Sequence, residues 1–101
     1  MQKLTKELML TQEEFTLLLT LFLKKMHTML PELLDAIKSD DYEQIALKAH
    51  SIKGSSGNFR IESLLKNSTE MEKMAKNREV DYDYKATFDK LQQKIESIKM
   101  V

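Results

Sequence analysis

The sequence has no cysteine, only two glycines and one proline, and no excess of either charge over its 101 residues. The absence of cysteine excludes a disulfide framework, a thiolate metal site and a cysteine nucleophile. Because basic and acidic residues number 16 each, no net field favours nucleic acid or an acidic membrane as a partner. The longest apolar stretch, residues 17–23, is far too short to span a bilayer, and no export signal is visible at the start. We therefore expect a single soluble domain, residues 1–101, in the cytoplasm.

Amphipathic helical patterns occupy most of the chain. Leu4 and Leu8 have the spacing of one face of a short N-terminal helix. Thr11 and Glu14 have the spacing of a capping box, which predicts the start of a long helix. The apolar residues of this helix occupy about one third of its circumference, as in a core-facing stripe. They are Phe15, Leu18, Leu19, Phe22, Met26, Met29, Leu30, Leu33 and Ile37. Pro31 interrupts the pattern without changing its phase, and predicts either a kink or two nearly continuous helices.

Three more helices are expected after polar breaks in the chain. Asp40 is a suitable N-cap for the second helix, and Gly57 with Asn58 is a suitable left-handed stop at its end. A third helix is predicted over residues 61–77 and a fourth from about Asp83, joined by a short polar loop. The predicted core positions of these helices are Tyr42, Ile45, Ala49, Ile52, Ser56, Ile61, Leu64, Leu65, Ser68, Met71, Ala75, Tyr84, Phe88, Leu91, Ile95 and Ile98. The expected fold is an all-α antiparallel four-helix bundle with a short additional N-terminal helix.

The segment AHSIKGSSGNF (residues 49–59) forms the second half of the second predicted helix and the turn that ends it. It holds one of the two histidines and both glycines. On a helix, His50, Lys53, Gly54 and Gly57 fall at positions i, i+3, i+4 and i+7, so they share one narrow face. This face presents an imidazole with an ammonium group one turn away and two missing side chains beside it. Such a surface allows a partner to approach the imidazole closely.

A plain surface histidine is the simplest interpretation of His50, and Lys53 is then a solvated charge. Three features favour a chemical role instead. Gly54 lies inside a predicted helix, where glycine costs about 1 kcal/mol relative to alanine, and clearance for a partner explains it most easily. Lys53 favours an incoming anion, and no acid or base of a catalytic triad is encoded nearby. A nucleophile that accepts a phosphoryl group, with Lys53 offsetting the added negative charge, fits these residues.

The H-x-x-K-G pattern of this segment resembles the signature of histidine-containing phosphotransfer (Hpt) domains. The order of the predicted helices also resembles that of Hpt domains over essentially the whole chain. The resemblance implies that His50 is the phosphoacceptor, modified on Nε2. It implies that Lys53 stabilises the phosphorylated form and that Gly54 lets the partner approach. The small residues at the end of the motif are matched by Ser55, Ser56 and Gly57.

The sequence departs from the family pattern at Glu72, 22 residues after the histidine. Many Hpt domains have a glutamine there, which hydrogen-bonds the imidazole. An ionised carboxylate accepts hydrogen bonds but donates none, so Glu72 would favour a protonated imidazole or repel the phosphate. A solvated charge at the edge of the third helix is an equally good interpretation of Glu72.

The resemblance also implies partners and a reaction. Phosphoryl transfer would be reversible between His50 and an aspartate of a response-regulator receiver domain, either separate or within a hybrid histidine kinase. The receiver domain would bring Mg²⁺. The chain has no nucleotide-binding motif and no metal-ligand cluster, so we expect no cofactor and no enzymatic activity of its own. His27 is expected to be a plain surface histidine, because a metal site formed with His50 would lack a third ligand.

Docking is expected on the apolar border around His50, formed by Ala46 and Leu47, with Leu17 and Leu21 as further candidates. We expect the chain to be a monomer. Two other functions stay open. One is a pseudo-Hpt or helical adaptor that binds a receiver or kinase without phosphotransfer. The other is an enzyme with His50 as general base, for which the sequence supplies no partner residues.

Overall fold

Four α-helices follow one another in the computed structural model, which describes residues 11–98. They are α1 (Gln12–Lys38), α2 (Tyr42–Asn58), α3 (Glu62–Lys76) and α4 (Tyr84–Ser97). Each helix packs against the next one along the chain, and α4 packs back against α1. With such short connections this arrangement is an antiparallel four-helix bundle, so the predicted fold class is confirmed. The predicted short N-terminal helix lies outside the described residues.

The long helix α1 begins at the predicted capping box. The Glu14 amide donates to the Thr11 hydroxyl (3.1 Å), and the Thr11 amide donates to the Glu14 carboxylate (3.2 Å). These two bonds satisfy amides that the first helical turn leaves without a partner. Pro31 lies inside α1, which runs on to Lys38. Of the two arrangements predicted around the proline, the structure therefore has one continuous helix rather than two.

The core-facing stripe of α1 is narrower than predicted. Leu18 is predicted to belong to the stripe, but it lies at the edge of the buried arc and is 41% exposed. Met29 and Ile37 are only half-buried. Leu17 and Leu21 point away from the core, with 59% and 52% of their surface exposed. The buried residues of α1 are Phe15, Leu19, Phe22, Met26, Leu30, Leu33 and Ala36.

The same turn geometry ends α1, α2 and α3. The first residue beyond each C-cap has a left-handed backbone, and these residues are Asp40 (φ 53°), Arg60 (φ 54°) and Arg78 (φ 51°). After α1, the Asp40 amide donates to the carbonyl of Ile37 and the Asp41 amide to that of Ala36. Matching pairs of bonds follow α2 and α3. This is the Schellman pattern, in which the left-handed position more often carries glycine.

Two predicted helix boundaries are wrong because of these turns. Asp40 has the left-handed backbone of the turn after α1 and does not cap α2. The N-cap of α2 is Asp41, whose carboxylate accepts a hydrogen bond from the Gln44 amide (3.2 Å). Gly57 and Asn58 do not form a left-handed stop, because both lie within α2 and no glycine has a positive φ. Arg60 takes that position instead. The third helix begins and ends within one residue of its predicted bounds, and the fourth begins one residue after Asp83.

Aromatic contacts hold both ends of α2. At its C-terminal end Phe59 packs on α1, with ring centroids 5.7 Å from Phe15 and 5.1 Å from Phe22. At its N-terminal end lies a tyrosine cluster, in which the Tyr84 ring is 5.9 Å from that of Tyr42 and 4.9 Å from that of Tyr82. These contacts fix where α2 lies against α1 and α4, and so where its central residue is presented.

Tyr82 anchors the loop between α3 and α4. Its hydroxyl donates to the Glu70 carboxylate at 2.6 Å and also contacts the Thr87 hydroxyl. Burial, followed by the hydrogen bond to Glu70, raises the pKa of Tyr82 to about 12. The phenol therefore stays protonated, and the loop anchor stays intact, across the pH range in which the carboxylates ionise.

Candidate functional site

His50 lies in the middle of α2 and is exposed at the seam between α2 and α3. Its side chain is 65% exposed, and its Nδ1 atom is 2.8 Å from Oε2 of Glu72 on α3. The main core contacts of α2 come from Ile45, Ala49 and Ile52, so His50, which follows Ala49 by one residue, points away from the bundle interior. One ring nitrogen is thus engaged by the protein, and the remainder of the ring faces solvent.

Glu72 is the centre of the site and is almost fully buried. Its carboxylate is bonded by three groups: His50 Nδ1 (2.8 Å), Lys53 Nζ (2.8 Å) and Lys76 Nζ (3.1 Å). A buried carboxylate is tolerated when such partners compensate the lost hydration. The interpretation of Glu72 as a solvated charge is therefore wrong. Its side chain is only 6% exposed, whereas those of its two lysine partners reach solvent.

The charge of Glu72 follows from these contacts. Burial by itself raises the pKa of the carboxyl group. The hydrogen bonds from Lys53, Lys76 and His50 together lower it by more than burial raises it. The net result is a pKa of about 2 instead of 4.5. Glu72 is therefore ionised at any pH near neutrality and can only accept hydrogen bonds.

The ionised carboxylate determines which nitrogen of His50 carries the proton. Because Glu72 can only accept, the Nδ1 atom of His50 must donate, so the neutral ring has its hydrogen on Nδ1. The lone pair of the neutral imidazole is then on Nε2. This arrangement directs a nucleophilic nitrogen toward solvent and holds the ring by its other nitrogen.

The other residues of the predicted motif lie around this centre. Lys53 reaches Glu72 across the seam with a side chain that is one-third exposed. A Cβ atom added to Gly54 or Gly57 would meet no neighbour within 4 Å, so the surface above both glycines is open. Ser55 lies on the opposite side and accepts a hydrogen bond from Lys25 of α1 (2.9 Å). Ser56 faces the core, and its buried hydroxyl has no partner among the described residues.

A groove of about 440 Å³ begins at His50 and runs along the seam between α2 and α3. Leu47, predicted as a docking residue, is 54% exposed and lines it. Ala46 also lines the groove but is buried, so it contributes to the floor and not to an exposed rim. Leu17 and Leu21 are on α1 and do not line it. The structure thus brings two of the four predicted docking residues to the histidine.

Lys76 is the site residue that sequence reasoning missed. It lies one turn after Glu72, and its ammonium group is the third partner of the carboxylate. The signal was present in the sequence, because Glu and Lys at i and i+4 on a helix commonly pair. With Lys76, two cations flank His50 from α2 and α3.

The second histidine lies away from this site. His27 lines a separate groove between α1 and α4, beside Gln92 and Glu96. Within residues 11–98, no cluster of three potential ligands is placed to hold a metal ion. In the same range, none of the helices has the length and apolar character required to cross a bilayer.

Comparison with known proteins gave one match. The family model described as the Hpt domain matches residues 17–99. The comparison with curated proteins and the comparison with solved structures returned no match. The matched range includes all of α2 and α3, and therefore the histidine, its carboxylate partner and both lysines. The chain belongs to the Hpt domain family, the phosphotransfer modules of two-component systems.

Proposed function

We propose that this chain is a phosphorelay intermediate, which accepts a phosphoryl group on His50 from an aspartate of one receiver domain and passes it to another. The observation that carries the proposal is the bond between His50 Nδ1 and the ionised carboxylate of Glu72. It holds the ring in the form whose Nε2 atom is nucleophilic and exposed. Receiver domains and histidine kinases are the partners of the Hpt family.

In the forward step, the lone pair of Nε2 attacks the phosphorus of the aspartyl phosphate. The N–P bond forms as the P–O bond to aspartate breaks, and the aspartate leaves as a carboxylate. The proton on Nδ1 stays in place, so the ring acquires a positive charge that faces Glu72. A carboxylate already oriented toward this charge stabilises it without reorganisation. The reverse step returns the phosphoryl group to an aspartate by the same path.

The phosphoryl group itself is stabilised from two sides. Mg²⁺ carried by the receiver would neutralise charge on its oxygens during transfer. After the receiver leaves, Lys53 and Lys76 stay beside the modified ring, because both contact Glu72, the partner of His50. Their ammonium groups offset the negative charge that the modified ring carries.

Transfer of labelled phosphate tests this proposal. Purified receiver domains, loaded with labelled phosphate, are mixed with the chain, and label on the chain is tested for the acid lability and base stability of phosphohistidine. Label on the wild type and on His27→Gln, with none on His50→Gln, is the expected result. His27 is a matched control because it is the only other histidine and is also exposed. Equal labelling of His50→Gln would contradict the proposal.

The alternative function is an adaptor that binds a receiver or kinase without phosphotransfer. One observation favours it: both lysines beside His50 are engaged with Glu72 in this structure. An adaptor predicts that His50→Ala binds a receiver as tightly as the wild type does, and that no label is transferred. A phosphoacceptor predicts label on His50 even when the donor is a small molecule such as phosphoramidate, which requires no docking.

A further inference from the structure

We infer that the part of the groove beyond His50 is a specificity site for the receiver domain, in which Arg78 and Glu43 select the partner by charge. The inference rests on the proposed function, because the occupant is the receiver that delivers the phosphoryl group. It concerns the end of the groove formed by Tyr42, Glu43 and Arg78, which phosphoryl chemistry at His50 does not use.

The position of this end places it under any receiver that reaches His50. A typical interface covers about 800 Å² on each partner, which corresponds to a patch of roughly 16 Å radius. Glu43 and His50 are on the same helix and are about 10 Å apart along its axis, from a rise of about 1.5 Å per residue. A footprint centred on His50 therefore includes this end of the groove. By the same measure Leu21, on α1 beyond the contact of Lys25 with Ser55, is about 13 Å away along the axis and lies near its edge.

The shape of the groove fits an apolar side chain of the partner. Its floor is formed by Ala46 and Ala75, two small buried residues, and Leu47 forms an exposed apolar wall. An apolar segment placed there would cover surface of Leu47 that is otherwise in water, which favours binding. The small floor residues leave depth for the inserted group.

The charges at the far end of the groove define which charged groups the partner segment carries. Arg78 and Glu43 are both exposed, and within residues 11–98 neither side chain forms an ion pair or hydrogen bond. A receiver that covers them without compensating groups would remove hydration from two charges and gain nothing in return. The partner segment must therefore carry a carboxylate opposite Arg78 and a basic group opposite Glu43. Receivers with the reverse order would be rejected by like-charge contacts.

The backbone of Arg78 is held at the edge of the groove. Arg78 has a left-handed backbone and is held by hydrogen bonds from its own amide to Ala75 and from the next amide to Met74. Glycine would be less strained at such a position. The turn therefore fixes where the side chain of Arg78 leaves the backbone, at the edge of the groove.

A charge swap tests the inference without altering net charge. The variant Glu43→Arg/Arg78→Glu is compared with the control swap Lys85→Asp/Asp89→Lys, which reverses an exposed ion pair on α4. We expect the rate of transfer from the receiver to fall about tenfold in the groove swap, relative to labelling of His50 by phosphoramidate in the same variant. The control swap should change this ratio by less than about twofold.

A second variant separates docking from folding. Arg78→Gly relieves the left-handed backbone, so its thermal midpoint should rise while transfer from the receiver falls several-fold. Equal transfer in the groove swap and the control swap would overturn the inference. So would a parallel loss of phosphoramidate labelling, since the effect would then be on His50 itself.

Binding measurements distinguish a failure of this inference from a failure of the proposed function. If the wild type accepts no phosphate from any donor, the proposed function fails. The groove is then tested by titrating the same panel of unphosphorylated receivers into both swap variants. Weaker binding to the groove swap alone supports the specificity site. Equal binding to both swaps, or a panel in which no receiver binds, overturns the occupant assigned here.

Discussion

Replacing Glu72 with glutamine should change how the stability of the protein depends on pH. The folded-state pKa of Glu72 is about 2, against 4.5 in the absence of the fold. That difference corresponds to about 3 kcal/mol of stabilisation near neutral pH. A domain of this size has a free energy of unfolding of about 5–15 kcal/mol, so one carboxylate contributes a large fraction of it.

The sign of the effect follows from the direction of the pKa change. Because the folded-state pKa is lowered, the stabilisation by ionised Glu72 is complete above the unfolded-state pKa of 4.5. It is lost as the pH falls toward about 2. Glu72→Gln keeps the size of the side chain but cannot ionise. We expect the difference in unfolding free energy between the wild type and this variant to fall by about 3 kcal/mol between neutrality and about pH 2.

Urea unfolding followed by circular dichroism, repeated across this pH range, measures the difference. The exposed carboxylates contribute equally to both proteins. Their contributions therefore cancel when the unfolding free energy of the variant is subtracted from that of the wild type at each pH. His50→Gln is the matched control, because it removes one partner of the carboxylate and leaves both lysines in place. A wild-type-minus-variant difference that stays constant from neutrality to about pH 2 would refute the account of Glu72 as a buried, ionised centre.

Three further outcomes are expected. Asp40→Gly should raise the unfolding free energy by about 0.5 kcal/mol, because glycine adopts the left-handed backbone without strain, and the urea midpoint measures the gain. Ser56→Ala should be neutral or stabilising, since the buried hydroxyl has no partner among the described residues, whereas Ser68→Ala should lose about 1 kcal/mol with its hydrogen bond to the backbone. A loss of stability in Ser56→Ala together with no loss in Ser68→Ala would contradict this reasoning. Lys76→Ala should shorten the lifetime of the phosphohistidine a few-fold, measured by loss of label, while Lys94→Ala on α4 should leave it unchanged.

Features set by adjacent residues were predictable from the sequence. The capping box depends only on two residues three positions apart, Thr11 and Glu14, and it forms as expected. The placement of His50, Lys53 and Gly54 on one exposed face depends only on helix geometry. The helix order and fold class follow from hydrophobic periodicity, which reports on each helix by itself.

Features set by the packing of two helices were not predictable. Whether Glu72 is buried depends on how α3 is rotated about its axis, and a rotation of one residue moves a side chain by 100°. Its three partners come from two helices and compensate the burial only after α2 and α3 have packed. The turn residues show the same limit. Local preference placed the left-handed stop at Gly57, whereas the packing of Phe59 on α1 extends α2 to Asn58 and leaves that position to Arg60.

The tyrosine cluster gives the protein an internal optical probe. The chain has no tryptophan and three tyrosines, Tyr42, Tyr82 and Tyr84, which are all in the cluster. Intrinsic fluorescence therefore originates at one end of the bundle, and Tyr42 of that cluster also lines the groove. A receiver that fills the groove would cover Tyr42 and so is expected to change the emission of the chain. Partner binding can then be followed in solution without a label and without modification of the histidine.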